Sequence, residues 1–152
     1  DDDTTEKWGW GPRVFIETFE HASSGALERY IYIFAHLANI QVEPQQKLAP
    51  GTAIATVGSP PSNGGWFPHL HVQKMRGEIY DHYISIGIEK LDGYGSTSAV
   101  EKNKKNFPNP SSLFAAQSRK TAARYAARPG ISGPQAGTIN TVLRRARSDR
   151  TH

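Results

Sequence analysis

An antiparallel, mostly β fold is predicted by two observations. The run Tyr30-Ile31-Tyr32-Ile33-Phe34-Ala35 consists largely of aromatic and β-branched residues, which suit an extended chain that points successive side chains to opposite faces. Short apolar segments are then punctuated by Gly11-Pro12, Ser23-Ser24-Gly25, Ala49-Pro50-Gly51 and Ser59-Pro60-Pro61-Ser62, which is turn chemistry. A chain of 152 residues makes one domain the default, but its apolar periodicity runs out near residue 115. Residues 1–111 are therefore read as β domain and 112–152 as a basic tail, helical or extended.

Strands are expected near 13–19, 29–36, 53–57 and 69–76, followed by an extended or helical segment near 78–91. Residues 92–110, from Asp92-Gly93-Tyr94-Gly95 through Lys102-Asn103-Lys104-Lys105, read as a polar excursion that closes at Phe107-Pro108-Asn109-Pro110. Ser111 or Ser112 can then N-cap a helix over Leu113 to Ala127, stopped by Arg128-Pro129-Gly130. A second short helix fits Thr138 to Arg147.

The chemistry-bearing residues are three histidines. The strand Tyr30 to Ala35 delivers His36 at its end, where a sheet meets solvent and sites are commonly built. Downstream, Pro68-His69-Leu70-His71-Val72 places two imidazoles two residues apart, which on a strand puts them side by side on one face. The loop from Gly58 to Pro68 borders them and is read either as one wall of a groove or as a surface loop with Trp66 packed inward. Trp8, Trp10 and Phe67 are read as core or rim packing, and His21 as a surface residue near a hairpin turn.

The order of these pieces resembles the lysostaphin-type, or LytM-like, zinc endopeptidases, which cut peptide bonds in bacterial cell walls. The matching order is a tyrosine-rich strand ending in Ala35-His36-Leu37, a polar turn, a strand ending in Val57-Gly58, a glycine loop, and Pro68-His69-Leu70-His71 before an apolar residue. The variant Asn63-Gly64-Gly65-Trp66-Phe67-Pro68-His69-Leu70-His71, with Asn109-Pro110 later, looks like a subgroup found in bacterial and phage proteins. The resemblance spans residues 9 to 75 and implies the β fold of that family, with residues 1–111 forming the C-terminal portion of a peptidase-like domain. It makes His71 a zinc ligand and His36 and His69 the catalytic histidines beside zinc-bound water.

The family draws its other two zinc ligands from an earlier His-x-x-x-Asp segment, whereas this chain has no histidine before His21. A catalytic zinc ordinarily has three protein ligands and an open position. The zinc site is thus expected to be incomplete here: a preceding segment of a longer protein supplies the rest, another subunit does, or the site is degenerate and only binds. Asp1 to Asp3, and the pair Asp81 and His82, are the remaining candidates in this chain. An acidic terminus is usually solvated, and Asp81 and His82 fall on opposite faces if they lie in a strand.

If the site is complete, zinc lowers the pKa of bound water to about 7 and polarises the scissile carbonyl. Imidazoles near their ordinary pKa of about 6.5 can accept that water's proton or donate to the oxyanion. The expected function is a zinc-dependent endopeptidase acting on peptidoglycan peptides, extracellular or associated with a virion or cell envelope, for example in a phage tail. The alternative is a non-catalytic structural or binding module on the same fold.

Charge follows the domain division. From Gln117 onward eight Lys/Arg face one Asp, giving +7, while ten against thirteen leaves −3 for the remainder, together the net +4. The tail is therefore expected to dock on other protein chains of a larger assembly, its arginines meeting carboxylates or phosphates. Nucleic acid is set aside as a partner, because the aromatics lie in the β region and the arginines in the tail, without interleaving. No apolar run approaches the roughly 20 residues needed to span a bilayer, and with no cysteine there are no disulfides.

Overall fold

The computed structural model describes residues 2–3, 8–91, 93, 97–114 and 139–140. Its centre is a hairpin. Strand β3 (Val14–His21) pairs antiparallel with β4 (Leu27–Ala35) in unbroken register from Val14 opposite Phe34 to His21 opposite Leu27. The turn is closed by Ala22 N–H donating to Ala26 O and Gly25 N–H to Ala22 O, with Gly25 at φ 82, a left-handed conformation that glycine adopts without steric cost. His21 lies at this turn, exposed and bonded through Nδ1 to Gly25 O.

Strand β8 (His71–Arg76) adds to the other side of β4, also antiparallel, so that His71 stands opposite Ala35. Two-residue strands complete the set: β1 (Asp2–Asp3) pairs with β2 (Gly11–Pro12), and β5 (Leu37–Ala38) with β7 (Thr56–Val57). Strands β6 (Lys47–Leu48) and β9 (Ile139–Asn140) join the main sheet, whose order is β6-β9-β3-β4-β8.

The alternation read in the sequence is what divides the core. Phe15, Ile31, Ile33, Ala35 and Met75 face one side, where they meet Trp10, Tyr80, Ile88 and Leu91. Val14, Ile16 and Tyr32 face the other, where they meet Leu37, Val42 and Leu48. Both sheet faces are covered, which explains why Tyr30 to Ala35 is apolar throughout rather than half polar.

The segment left open as extended or helical is helix α1 (Gly77–Ile86), followed by a 3-10 turn at Ile88–Lys90. Ile79, Tyr80, Tyr83 and Ile84 form two i,i+4 pairs, and all four pack on the core, so a helix buries them where a strand would expose half. Asp81 therefore points away from the histidines. It receives two hydrogen bonds from Arg29, each 2.8 Å, and His82 is exposed on the same helix.

The polar excursion contains helix α2 (Thr97–Asn103) and returns along β8, where Arg76 N–H donates to Asn106 O and its Nε–H to Lys105 O. Residues 111–114 form a helical turn. Asn109, rather than a serine, caps it: its side-chain oxygen accepts the Ser111 N–H at 2.9 Å. The rest of the helix expected to Ala127, and most of that expected over 138–147, lie outside the described residues. Within the stretch read as a tail, Ile139–Asn140 pairs with both β3 and β6.

Candidate functional site

Strand β4 stops at Ala35 because His36 turns out of the extended conformation, at φ 60. Left-handed backbone is uncommon for a residue with a Cβ and persists only where the surroundings hold it. They do so here from both sides: His36 N–H donates to Trp10 O at 3.0 Å, and Gly58 N–H donates to His36 O at 2.7 Å.

This bend brings the three histidines together. The His36 ring centre is 4.5 Å from that of His69 and 5.8 Å from that of His71, and all three line one cleft with Trp8, Trp10 and Trp66. The cleft has a volume of about 120 Å³. One expectation is corrected. His69 and His71 do not share a strand, since β8 begins only at His71. Pro68 brings no N–H to a ladder, and His69 Nδ1–H donates to Phe67 O at 2.7 Å, so the chain bends before it becomes extended. His36 stands near both instead.

The hydrogen bonds fix which ring nitrogens are free. His36 Nδ1–H donates to Asn63 O at 3.0 Å, just as His69 Nδ1–H donates to Phe67 O. Each ring is left with an Nε2 lone pair, the arrangement a proton acceptor or metal ligand needs. Burial pushes the His36 pKa below its ordinary value, against the opposing Asn63 carbonyl and with a smaller contribution from His69. Burial does the same to His71, with the Gln73 side chain opposing and the two neighbouring histidines adding to the drop. Both are neutral imidazoles at pH 7.

The walls carry residues whose placement the sequence did not reveal. Trp10 is at once core and wall: its Nε1–H donates to Leu91 O at 2.9 Å and its ring centre lies 4.9 Å from that of His71. Trp66 packs inward through Nε1–H to Gly9 O and also lines the cleft, so both readings of the loop hold. Phe67 is 70 % exposed and stacks on the His69 ring at 4.7 Å. Gly93 is fitted to the site, since a Cβ there would stand 3.0 Å from the Trp10 ring and 3.3 Å from His71 Cε1. Asn63, fully buried, was visible only as one letter of a glycine-rich loop.

His71 offers a neutral imidazole, as a ligand must, but among the described residues no three His, Asp or Glu side chains are grouped so as to hold a metal ion. Among the described residues no helix is long and apolar enough to cross a membrane. Comparison with family models, with curated proteins and with solved structures finds no match to this chain.

Proposed function

We propose that this chain carries the proton-handling half of a zinc-dependent endopeptidase site that cuts peptide bonds of bacterial peptidoglycan, within a cell-wall-breaching assembly such as a phage tail. The observation that carries the reading is the meeting of His36, His69 and His71 in one cleft, around a left-handed His36 clamped at both backbone groups. His36 presents Nε2 toward the cleft in a neutral ring, suited to taking a proton from an attacking water. His69, less enclosed, is suited in its doubly protonated form to donating a hydrogen bond from Nε2 to the carbonyl oxygen as it gains charge. His71 is the residue that would hold the metal, which when bound supplies a Lewis acid and an acidified water. Its remaining ligands come from outside the described residues. The basic end of the chain is proposed as its anchor to another protein of the assembly.

The second reading, a non-catalytic binding module, is favoured by the lack of a complete ligand trio among the described residues. Zinc titration separates the two. Residues 1–152 alone are expected to bind zinc weakly after chelation and to release little or no peptide from peptidoglycan. In a protein that supplies the remaining ligands, His71→Ala abolishes metal binding, whereas His69→Ala keeps the metal and lowers turnover, by about 10²- to 10⁴-fold for a lost acid or base. A ligand-completed protein that takes up zinc stoichiometrically and still cuts nothing establishes the binding module.

A further inference from the structure

Asn63 is 0 % exposed, although it sits in a loop of mostly polar and glycine residues. A buried amide must satisfy two donors and an acceptor. Its Nδ2 donates to Gly58 O at 3.2 Å and to Trp66 O at 2.9 Å, and its Oδ1 accepts from Gly65 N–H at 3.2 Å. The side chain therefore ties the two ends of loop 58–66 to each other. Its main-chain carbonyl takes no part in that knot and is aimed instead at His36 Nδ1, 3.0 Å away.

Two glycines let neighbouring backbone close in on Asn63. A Cβ on Gly11 would meet the Asn63 carbonyl carbon at 2.5 Å, and one on Gly58 would stand 3.0 Å from both Asn63 Cβ and His36 O. Each of these neighbours is a glycine, and the approach they permit brings the loop against the His36 bend.

We infer that Asn63 is the positioning residue of this site: its side chain locks the loop so that its carbonyl holds the His36 ring in the Nδ1–H tautomer, leaving Nε2 for the cleft. This rests on the reading of His36 as the group that accepts a proton. Asp at this position keeps the shape and the acceptor but loses both Nδ2 donors, and Gln adds a methylene where there is no space.

The test is the imidazole tautomer, read from two-bond ¹H–¹⁵N correlation spectra of the labelled, metal-free full chain. In the native protein, His36 and His69 are both expected as Nδ1–H. In Asn63→Asp, and independently in Gly11→Ala, which crowds the carbonyl without touching the side chain, His36 loses its single-tautomer signature and gains the Nε2–H form. His69, bonded to Phe67 O, keeps Nδ1–H in both. The inference is overturned by native His36 protonated at Nε2, by a folded variant in which His36 keeps Nδ1–H, or by variants in which both histidines change together, the mark of a purely structural role. Because neither metal nor substrate is present, failure of the endopeptidase reading leaves these spectra unchanged. Failure of the positioning role in turn leaves the zinc titration unchanged.

Discussion

His36 and His71 enter the fold as neutral rings, and that couples stability to pH. Both have folded-state pKa values below the ordinary value, chiefly through burial. The unfolded chain therefore binds protons more readily than the folded one. The contribution of these groups is complete above their unfolded pKa of about 6.5 and is lost as pH falls through the lower folded values. Denaturant midpoints are accordingly expected to fall between about pH 7.5 and pH 5, and replacing both residues by Gln should flatten that fall. Glu28, held low mainly by the Tyr30 hydroxyl, loses its charge only below the usual carboxylate range. An equally steep fall in the double variant would place the acid sensitivity elsewhere. At this scale the sequence singled out His36, His69 and His71 by their place next to strands, and these three line one cleft. It did not reveal Asn63 or Gly93, since burial of an amide and close approach to a glycine are properties of assembled loops rather than of local pattern.

Elements were readable wherever local pattern and packing agreed. Strands β3 and β4 appear near their expected positions because alternation, aromatic and β-branched residues and a Ser-Ser-Gly turn all favour the same hairpin. The strand expected over 53–57 is only Thr56–Val57, both exposed, because its partner β5 offers just Leu37 and Ala38 to pair with after the His36 bend. Helix α1 was ambiguous in the sequence because a short apolar run fits either period, and the core behind β4 decided it. Among the loops, Gly9 and Gly64 approach closely through their backbones. Gly64 has φ 87, Trp8 N–H donates to its carbonyl at 2.7 Å, and a Cβ would stand 2.3 Å from Gly9 O. Gly64→Ala therefore meets both a disfavoured backbone and a backbone clash, with a cost of about 2 kcal/mol or more and detachment of Trp8 from the cleft. Met75→Ala, at a fully buried site in β8, is expected to cost about 2–5 kcal/mol while leaving Trp8 held at Gly64 O. Denaturation curves followed by fluorescence distinguish the two; a Gly64→Ala protein with native stability and spectrum would show that the loop can yield.

For the molecule as a whole, the open question is where the folded unit ends, and strand β9 gives it a measurable form. The apolar periodicity fades near residue 115, yet Asn140 pairs with both Glu17 of β3 and Lys47 of β6, and Ile139 pairs with Leu48. In the sheet order β6-β9-β3, these two residues are the link through which β6 reaches the central hairpin. A two-residue strand carries too little pattern to be read from sequence, and its worth comes entirely from partners distant in the chain. Two truncations separate its role from that of the charged end. Ending the chain after Asn140 removes Arg144, Arg145, Arg147 and Arg150 but keeps the strand. It is expected to leave the thermal midpoint within a degree or two and to abolish incorporation into the larger assembly, if the arginines make the proposed anchor. Ending it after Ser111 removes the strand as well. With net contributions of about 0.5–1.5 kcal/mol per hydrogen bond lost, that chain should melt several degrees lower, with faster amide exchange at the positions facing β9. Equal melting of the two truncations would mean that β9 adds nothing to the sheet, and a chain ending at Asn140 that still joins the assembly at native stoichiometry would exclude Arg144, Arg145, Arg147 and Arg150 from the anchor, leaving it to Arg119, Lys120, Arg124 and Arg128.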